Sequence, residues 1–248
     1  MHKLLSFCRQ LLVTLLLLAL LGLLLAGGYF AYEGHKLYET AIHGTPISTL
    51  YETISSQENF VSYSELPQVY VDAVLSVEDQ HFARHHGIDL TAIVRAVLAD
   101  LRTGTAAEGG STITQQLAKN ELFTQEKHLA RKAAEIFAAF AIEKQYNKQQ
   151  IFEMYVNTIY FGSGYYGIGQ AAQGYFGVTP LQLSDAQAVM LAGLPNAPSA
   201  YSPNSSPELA LKRTQTVLKR MVENKKLSQE QADAIAADAA ALQVLAVQ

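Results

Sequence analysis

The sequence predicts a mainly α-helical domain carried behind a single N-terminal membrane-spanning helix. Three observations predict it: an uncharged leucine-rich run near the N-terminus, helical spacing of apolar residues from Gln68 to Ala241, and Ser/Thr-x-x-Gln capping signals separated by glycine- and proline-rich breakers. No strand series of comparable length competes with the helices.

The first element is the membrane helix. No charged residue occurs from Leu11 to Tyr32, and LLVTLLLLALLGLLLAGG is close to the ~20 residues that cross a bilayer core. Lys3 and Arg9 precede it without an acid, and Tyr29, Phe30 and Tyr32 follow it. The basic end therefore stays in the cytoplasm and the aromatic end lies at the far interface, which exports the body. A cleaved signal peptide is the alternative, but the apolar run exceeds the usual ~7–15-residue core of such signals. Residues 1–10 are read as a cytoplasmic tail, 11–32 as the anchor and 33–66 as a juxtamembrane linker or edge element ahead of Pro67.

From residue 67 to 248 nearly everything reads as helix: Gln68 to Ser76, Leu90 to Leu101, Thr112 to Leu122, Arg131 to Tyr146, Lys148 to Thr158, Gly169 to Phe176, Pro180 to Leu191, Pro207 to Asn224 and Gln229 to Ala241. Thr179 with Gln182, Ser184 with Gln187, and Ser228 with Gln231 are capping-box pairs. In the helix from Leu90, the residues Ile93, Val94, Val97, Leu98 and Leu101 form one apolar face, so the segment reads as core or as a membrane-facing flap hinged at Gly104 to Gly110.

Composition removes several function classes. The chain of 248 residues is 49% hydrophobic and carries a net charge of -4, which excludes disorder and gives no electrostatic case for nucleic acid. The single cysteine, Cys8, leaves neither an internal disulfide nor a Cys/His zinc set.

Polar residues concentrate in three clusters. Glu78 to Asp89 gathers three acids, three histidines and Gly87; it reads either as a solvated loop with Asp89 capping the next helix or as a site, and His81 with His85 make only a weak metal pair. Gly109-Gly110-Ser111-Thr112-Ile113-Thr114-Gln115-Gln116-Leu117-Ala118-Lys119-Asn120 is a tight turn into a helix whose free amides suit an anion, without the ending of a P-loop. Arg131-Lys132-x-x-Glu135 is an ordinary set of helix ion pairs on a surface, but ahead of the apolar AIFAAFAIEK it reads as an interior cation cluster.

Together these clusters, with Lys148-x-x-Ile151-Phe152-Glu153-x-Tyr155-Val156-Asn157 through Gly162, and Leu191-Ala192-Gly193-Leu194-Pro195-x-Ala197-Pro198, resemble in order and spacing the five motifs of the family 51 peptidoglycan glycosyltransferases. The resemblance covers roughly residues 65 to 205 and departs from the family at Gln187 and Val156. It implies a lysozyme-like helical domain that polymerises lipid II into β-1,4-linked glycan strands and releases undecaprenyl diphosphate. About 45 residues follow the last motif, fewer than the ~100 of another catalytic domain. The chain thus resembles the monofunctional transglycosylases, with a truncated bifunctional class A penicillin-binding protein as the alternative.

A sugar diphosphate donor already carries a good leaving group, so such an enzyme needs a base for the attacking hydroxyl and cations for the departing diphosphate. Glu78 is the expected base. Asp79, His85, Ser111, Thr112, Gln115, Gln116, Lys119, Arg131 and Lys132 are the expected substrate-binding residues, and Glu135 is expected to orient the cations or to hold a divalent cation, Mg or Mn. The expected partners are lipid II, the growing lipid-linked glycan, the cytoplasmic membrane and other cell-wall synthesis proteins, with the domain on the outer, periplasmic face of the inner membrane. A lysozyme-like hydrolase would share the carboxylate but would not need the cations.

Overall fold

A computed structural model describes residues 2–104, 109–123 and 129–246. Among these the chain is helical throughout, with one isolated antiparallel bridge between Tyr160 and Tyr166 in place of any sheet. The helices are α1 (His2–Gly44), α2 (Leu50–Ser55), α3 (Gln68–Glu78), α4 (Leu90–Thr103), α5 (Ile113–Leu122) and α6 (Leu129–Gln145). They continue with α7 (Lys148–Thr158), α8 (Ile168–Phe176), α9 (Asp185–Gly193), α10 (Pro198–Tyr201), α11 (Pro207–Glu223) and α12 (Gln229–Ala246).

α1 is long and apolar enough to cross a membrane: its best window has a mean hydropathy of 2.6 and none of that window is buried by the rest of the chain. Such a surface is stable only in lipid. Among the described residues α1 is the one helix long and apolar enough to cross a membrane.

α7 forms the centre of the domain. Ile151, Phe152, Met154, Tyr155 and Val156 on all its sides are buried, and α5, α6 and α8 pack around it. A second layer of α3, α9 and α11 closes over this centre, with α12 against α9 and α11. Two buried polar residues of α7 tie down the segment that precedes α3. The Glu153 carboxylate accepts from the Tyr51 hydroxyl at 2.7 Å and the Tyr63 amide at 2.8 Å, and Asn157 exchanges two 2.8 Å hydrogen bonds with the backbone of Val61. The Glu153 bond holds the Tyr51 phenol up at about 12.

Residues 33–66 are packed onto the domain. α1 runs on to Gly44, a 3₁₀ turn and α2 follow, and Leu50, Ile54, Val61 and Leu66 are buried in the core. The expected helix from Pro180 to Leu191 is also interrupted. Thr179 with Gln182 caps a 3₁₀ turn, Leu183 is extended at ψ 132, and Ser184 with Gln187 starts α9. Two capping boxes five residues apart each need an extended first residue, so one continuous helix cannot satisfy both.

α4 settles its two readings by exposure. Leu90, Val94, Val97, Leu98 and Leu101 all face outward, Leu101 at 77% exposure, so this face is not core. Asp89 caps the helix, accepting from the amides of Thr91 at 2.8 Å and Ala92 at 3.1 Å, and Gly104 ends it at φ 68. Most of the expected hinge, residues 105–108, lies outside the described residues.

Candidate active site

α3 delivers Glu78 at its last turn, where the chain breaks because Asp79 is drawn away to cap α5. The Asp79 carboxylate accepts from the Ile113 amide at 3.0 Å and from His85 Nε2 at 2.8 and 3.0 Å. The Gly87 amide donates to His85 Nδ1 at 3.2 Å, which leaves the proton on Nε2 and fixes the tautomer. Thr112 donates to the Gly87 carbonyl at 2.6 Å and accepts from the Gln115 amide at 3.1 Å, while Gln115 returns its own oxygen to the Thr112 amide at 3.0 Å.

Three amides at the start of α5 are already engaged: Ile113 with Asp79, Thr112 with Gln115 and Gln115 with Thr112. The side chains of Asp79, His85, Thr112 and Gln115 are buried and bonded into one network across α3, α5 and the loop between. His81 is separate, its Nδ1 2.7 Å from Asp89.

The framework holds Glu78 in an unusual state. Its side chain is 9% exposed; Gln116 Nε2 donates to Oε2 at 2.8 Å, and the Tyr155 hydroxyl in turn donates to Gln116 at 3.4 Å. The other oxygen, Oε1, is buried with no hydrogen-bond partner among the described residues. Arg213 Nη2 of α11 lies 3.7 Å from it, an ion-pair contact too long for a hydrogen bond. Burial pushes the Glu78 carboxyl above the ordinary range, and the Gln116 hydrogen bond, Arg213 and Lys119 oppose that push without cancelling it. A carboxylate that is raised and half-satisfied is a better proton acceptor than one on the surface.

The cations stand on α6, and one of them reaches the turn that leads into α5. Lys132 Nζ donates to Ser111 Oγ at 2.9 Å and to Glu135 Oε2 at 2.8 Å, and Arg131 Nε stands 3.1 Å from Glu135 Oε1. Lys132 thus reaches the residue two positions ahead of α5, while Glu78 is held by Gln116 in the first half of that helix. Lys119 of α5 acts on Glu78 through its charge. Glu135 is buried at 2% exposure with a cation at each oxygen, and no cluster of three His, Cys, Asp or Glu surrounds it among the described residues. That donor set does not fit a divalent cation; the two positive side chains stand where one would bind.

Against known proteins, the transglycosylase family model matches residues 43–222. The chain belongs to that family. Penicillin-binding protein 1A of Aquifex aeolicus is 48% identical over 73% of this chain and 25% of that protein. Penicillin-binding protein 1A/1B of Bacillus subtilis is 40% identical over 86% of this chain and 25% of that protein. A solved penicillin-binding protein 1A structure from Haemophilus influenzae covers 71% of this chain and 17% of that one, at 24% identity and a TM-score of 0.42. This transglycosylase chain thus spans about a quarter of the length of the curated relatives it matches.

Two site features of the transglycosylase chain escaped the sequence reading. Arg213 is one cation among several on the amphipathic α11, with nothing local to single it out. Glu143 of α6 accepts from Thr114 at 2.6 Å and from Lys148 at 2.7 Å, and Lys148 lies over the Phe82 ring at 4.4 Å. This buried group ties α5, α6, α7 and the loop after Glu78 together. Its only sequence trace is an acid that follows the apolar run from Ile136 to Ile142.

Proposed function

We propose that the chain is a peptidoglycan glycosyltransferase that polymerises lipid II into β-1,4-linked glycan and releases undecaprenyl diphosphate. The observation that carries this reading is Glu78 Oε1: a buried carboxylate oxygen without a hydrogen-bond donor among the described residues, its twin oxygen held by Gln116 of α5, while Lys132 of α6 reaches Ser111 just ahead of that helix and shares Glu135 with Arg131. Glu78 takes the proton of the acceptor 4-hydroxyl at Oε1 while Gln116 holds Oε2. The freed alkoxide attacks the anomeric carbon of the donor from the face opposite the diphosphate. Arg131, Lys132 and Lys119 neutralise the charge that grows on the departing diphosphate. One displacement inverts the configuration, and no second carboxylate is needed as a nucleophile.

Glu135 is in this scheme the orienter of the cations, not a metal ligand. The active face lies outside the cytoplasmic membrane, with the Lys3 and Arg9 end of α1 inside, and the outward apolar face of α4 dips into the bilayer surface beside Arg95 and Arg102. The lipid substrate, its growing glycan product and neighbouring cell-wall synthesis proteins are the partners this placement serves.

The test is turnover of lipid II by Arg131→Lys and Lys119→Ala variants, with and without a divalent cation. Arg131→Lys keeps the charge but loses the planar fork that grips two phosphate oxygens. A marked fall in polymerisation with little change in melting temperature supports the transferase reading. Unaltered turnover in both variants would leave a hydrolase of similar fold as the better account.

A further inference from the structure

The anchor helix and the helix that carries the cations are packed as one unit. At Gly34 the two backbones nearly touch: a Cβ there would stand 2.5 Å from Ala133 Cβ, 2.8 Å from the Ala130 carbonyl and 2.9 Å from the Ala134 nitrogen. No side chain fits. Farther along, His35 stands edge-on to Phe137 at 5.2 Å, Tyr38 lies 6.3 Å from the same ring, and the Ile47 carbonyl takes the Tyr146 hydroxyl. Rising numbers on α1 and its continuation meet rising numbers on α6, so the two run parallel. The first turns of α6, with Arg131, Lys132 and Glu135, are consequently at the membrane-proximal end.

The elevation of that end is set by simple arithmetic. Gly34 lies two residues beyond Tyr32, the end of the uncharged run, a rise of about 3 Å. The polar layer on each side of a bilayer core is about 5–7 Å thick. The cation cluster is therefore held within the layer where lipid phosphates lie.

We propose that the α1–α6 seam is a depth gauge: a rigid spacer, registered by Gly34, that fixes the Arg131–Lys132–Glu135 cluster at the height of a diphosphate presented by a membrane lipid. This rests on the lipid-diphosphate substrate proposed above. A flexible tether of the same length would keep the domain near the membrane without fixing its height. The seam fixes it, because α1 is unbroken from the bilayer through Gly44 and is in contact with α6 from Gly34 onward. Gly34 thereby acts as a positioning residue, through Ala133 next to Lys132.

The experiment inserts Glu-Ala-Ala-Lys between Tyr32 and Glu33 in the full-length protein, reconstituted in vesicles of phosphatidylethanolamine and phosphatidylglycerol. Four residues lengthen the helix by about 6 Å and rotate it by only about 40°. The charged turn cannot sink into the hydrocarbon to undo the change. A nitroxide on Leu129→Cys, in a Cys8→Ser background, reports depth at a position that is 64% exposed and outside the proposed machinery. We expect the label in the phosphate layer in the parent and about 6 Å farther out after the insertion. Polymerisation of bilayer-embedded lipid II should fall on the order of 100-fold. Turnover of a short-chain, water-soluble analogue of the same diphosphate should stay within about twofold. An unmoved label, undiminished turnover of the embedded substrate, or equal loss on both substrates would overturn the depth gauge. A parent inactive on both substrates would refute the transferase reading, and the label depth would still decide the spacer by itself.

Discussion

Arg213 Nη2 stands 3.7 Å from Glu78 Oε1, beside the oxygen that no hydrogen bond occupies. Its charge favours the carboxylate while its distance leaves the oxygen open. Gly193 permits the approach: a Cβ there would meet Arg213 Cγ at 2.9 Å, and its carbonyl accepts from Arg213 Nε at 3.0 Å. The glycine of the fifth motif thus acts at Glu78 through a residue on another helix.

Removing this charge should make Glu78 harder to ionise. In Arg213→Met the opposing influence is gone, burial acts with less resistance, and the carboxyl moves further up. The acid limb of kcat/KM against pH should shift to higher pH, and Arg213→Lys should restore much of the native profile. An acid limb that stays in place in Arg213→Met would remove Arg213 from any role at the base.

Glu78 should also cost stability in its charged form. Its carboxyl is raised on folding, so the fold favours the protonated group, and that contribution is present below the unfolded value of about 4.3 and lost as pH rises through the folded value. Glu78→Gln, which cannot ionise, should match the native protein in melting temperature near pH 4 and exceed it at pH 7 to 8. A variant less stable at pH 7 would show that the ionised carboxylate is well compensated after all.

Asp89 runs in the opposite direction. Burial alone would raise its carboxyl, but hydrogen bonds from Thr91, His81 and the Ala92 and Thr91 amides outweigh burial and hold it well below the carboxylate range. Its stabilisation is then present above the unfolded value of about 3.9 and lost as pH falls through the folded value. Asp89→Ala should cost about 1–2 kcal/mol near pH 7, and denaturant titrations should show the difference shrinking below about pH 4. A pH-independent difference would mean that shape, not charge, makes the cap.

The apolar face of α4 should matter to the bilayer and not to the fold. Leu98→Ser with Leu101→Ser removes side chains that are 49% and 77% exposed, so the melting temperature should hardly move. Polymerisation in vesicles should fall severalfold as the contact with lipid weakens. A large loss of melting temperature with undiminished turnover in vesicles would assign this face to the fold.

Local chemistry was legible in the sequence, and long-range pairing was not. The start of α5 at Thr112 and Gln115, the Asp89 cap and the span of α7 follow from capping and period alone. What Glu153 and Asn157 hold could not be read from α7, because Tyr51, Val61 and Tyr63 reach them only through the fold. The segment from 33 to 66 looked like a linker for the same reason: its buried residues are short pieces, each packed on a helix distant in sequence. Asp79 and His85 show that a charged motif can also serve architecture, a pairing that spacing alone did not reveal.

The products that purified protein makes from lipid II in vesicles separate a transferase from a hydrolase. A transferase with Glu78 as its base yields polymeric β-1,4 glycan, with one undecaprenyl diphosphate released per disaccharide joined, and a rate in Glu78→Gln below about a tenth of native, equivalent to at least ~1.4 kcal/mol of barrier. Free disaccharide in place of polymer, or polymer made at the native rate by Glu78→Gln, would contradict it.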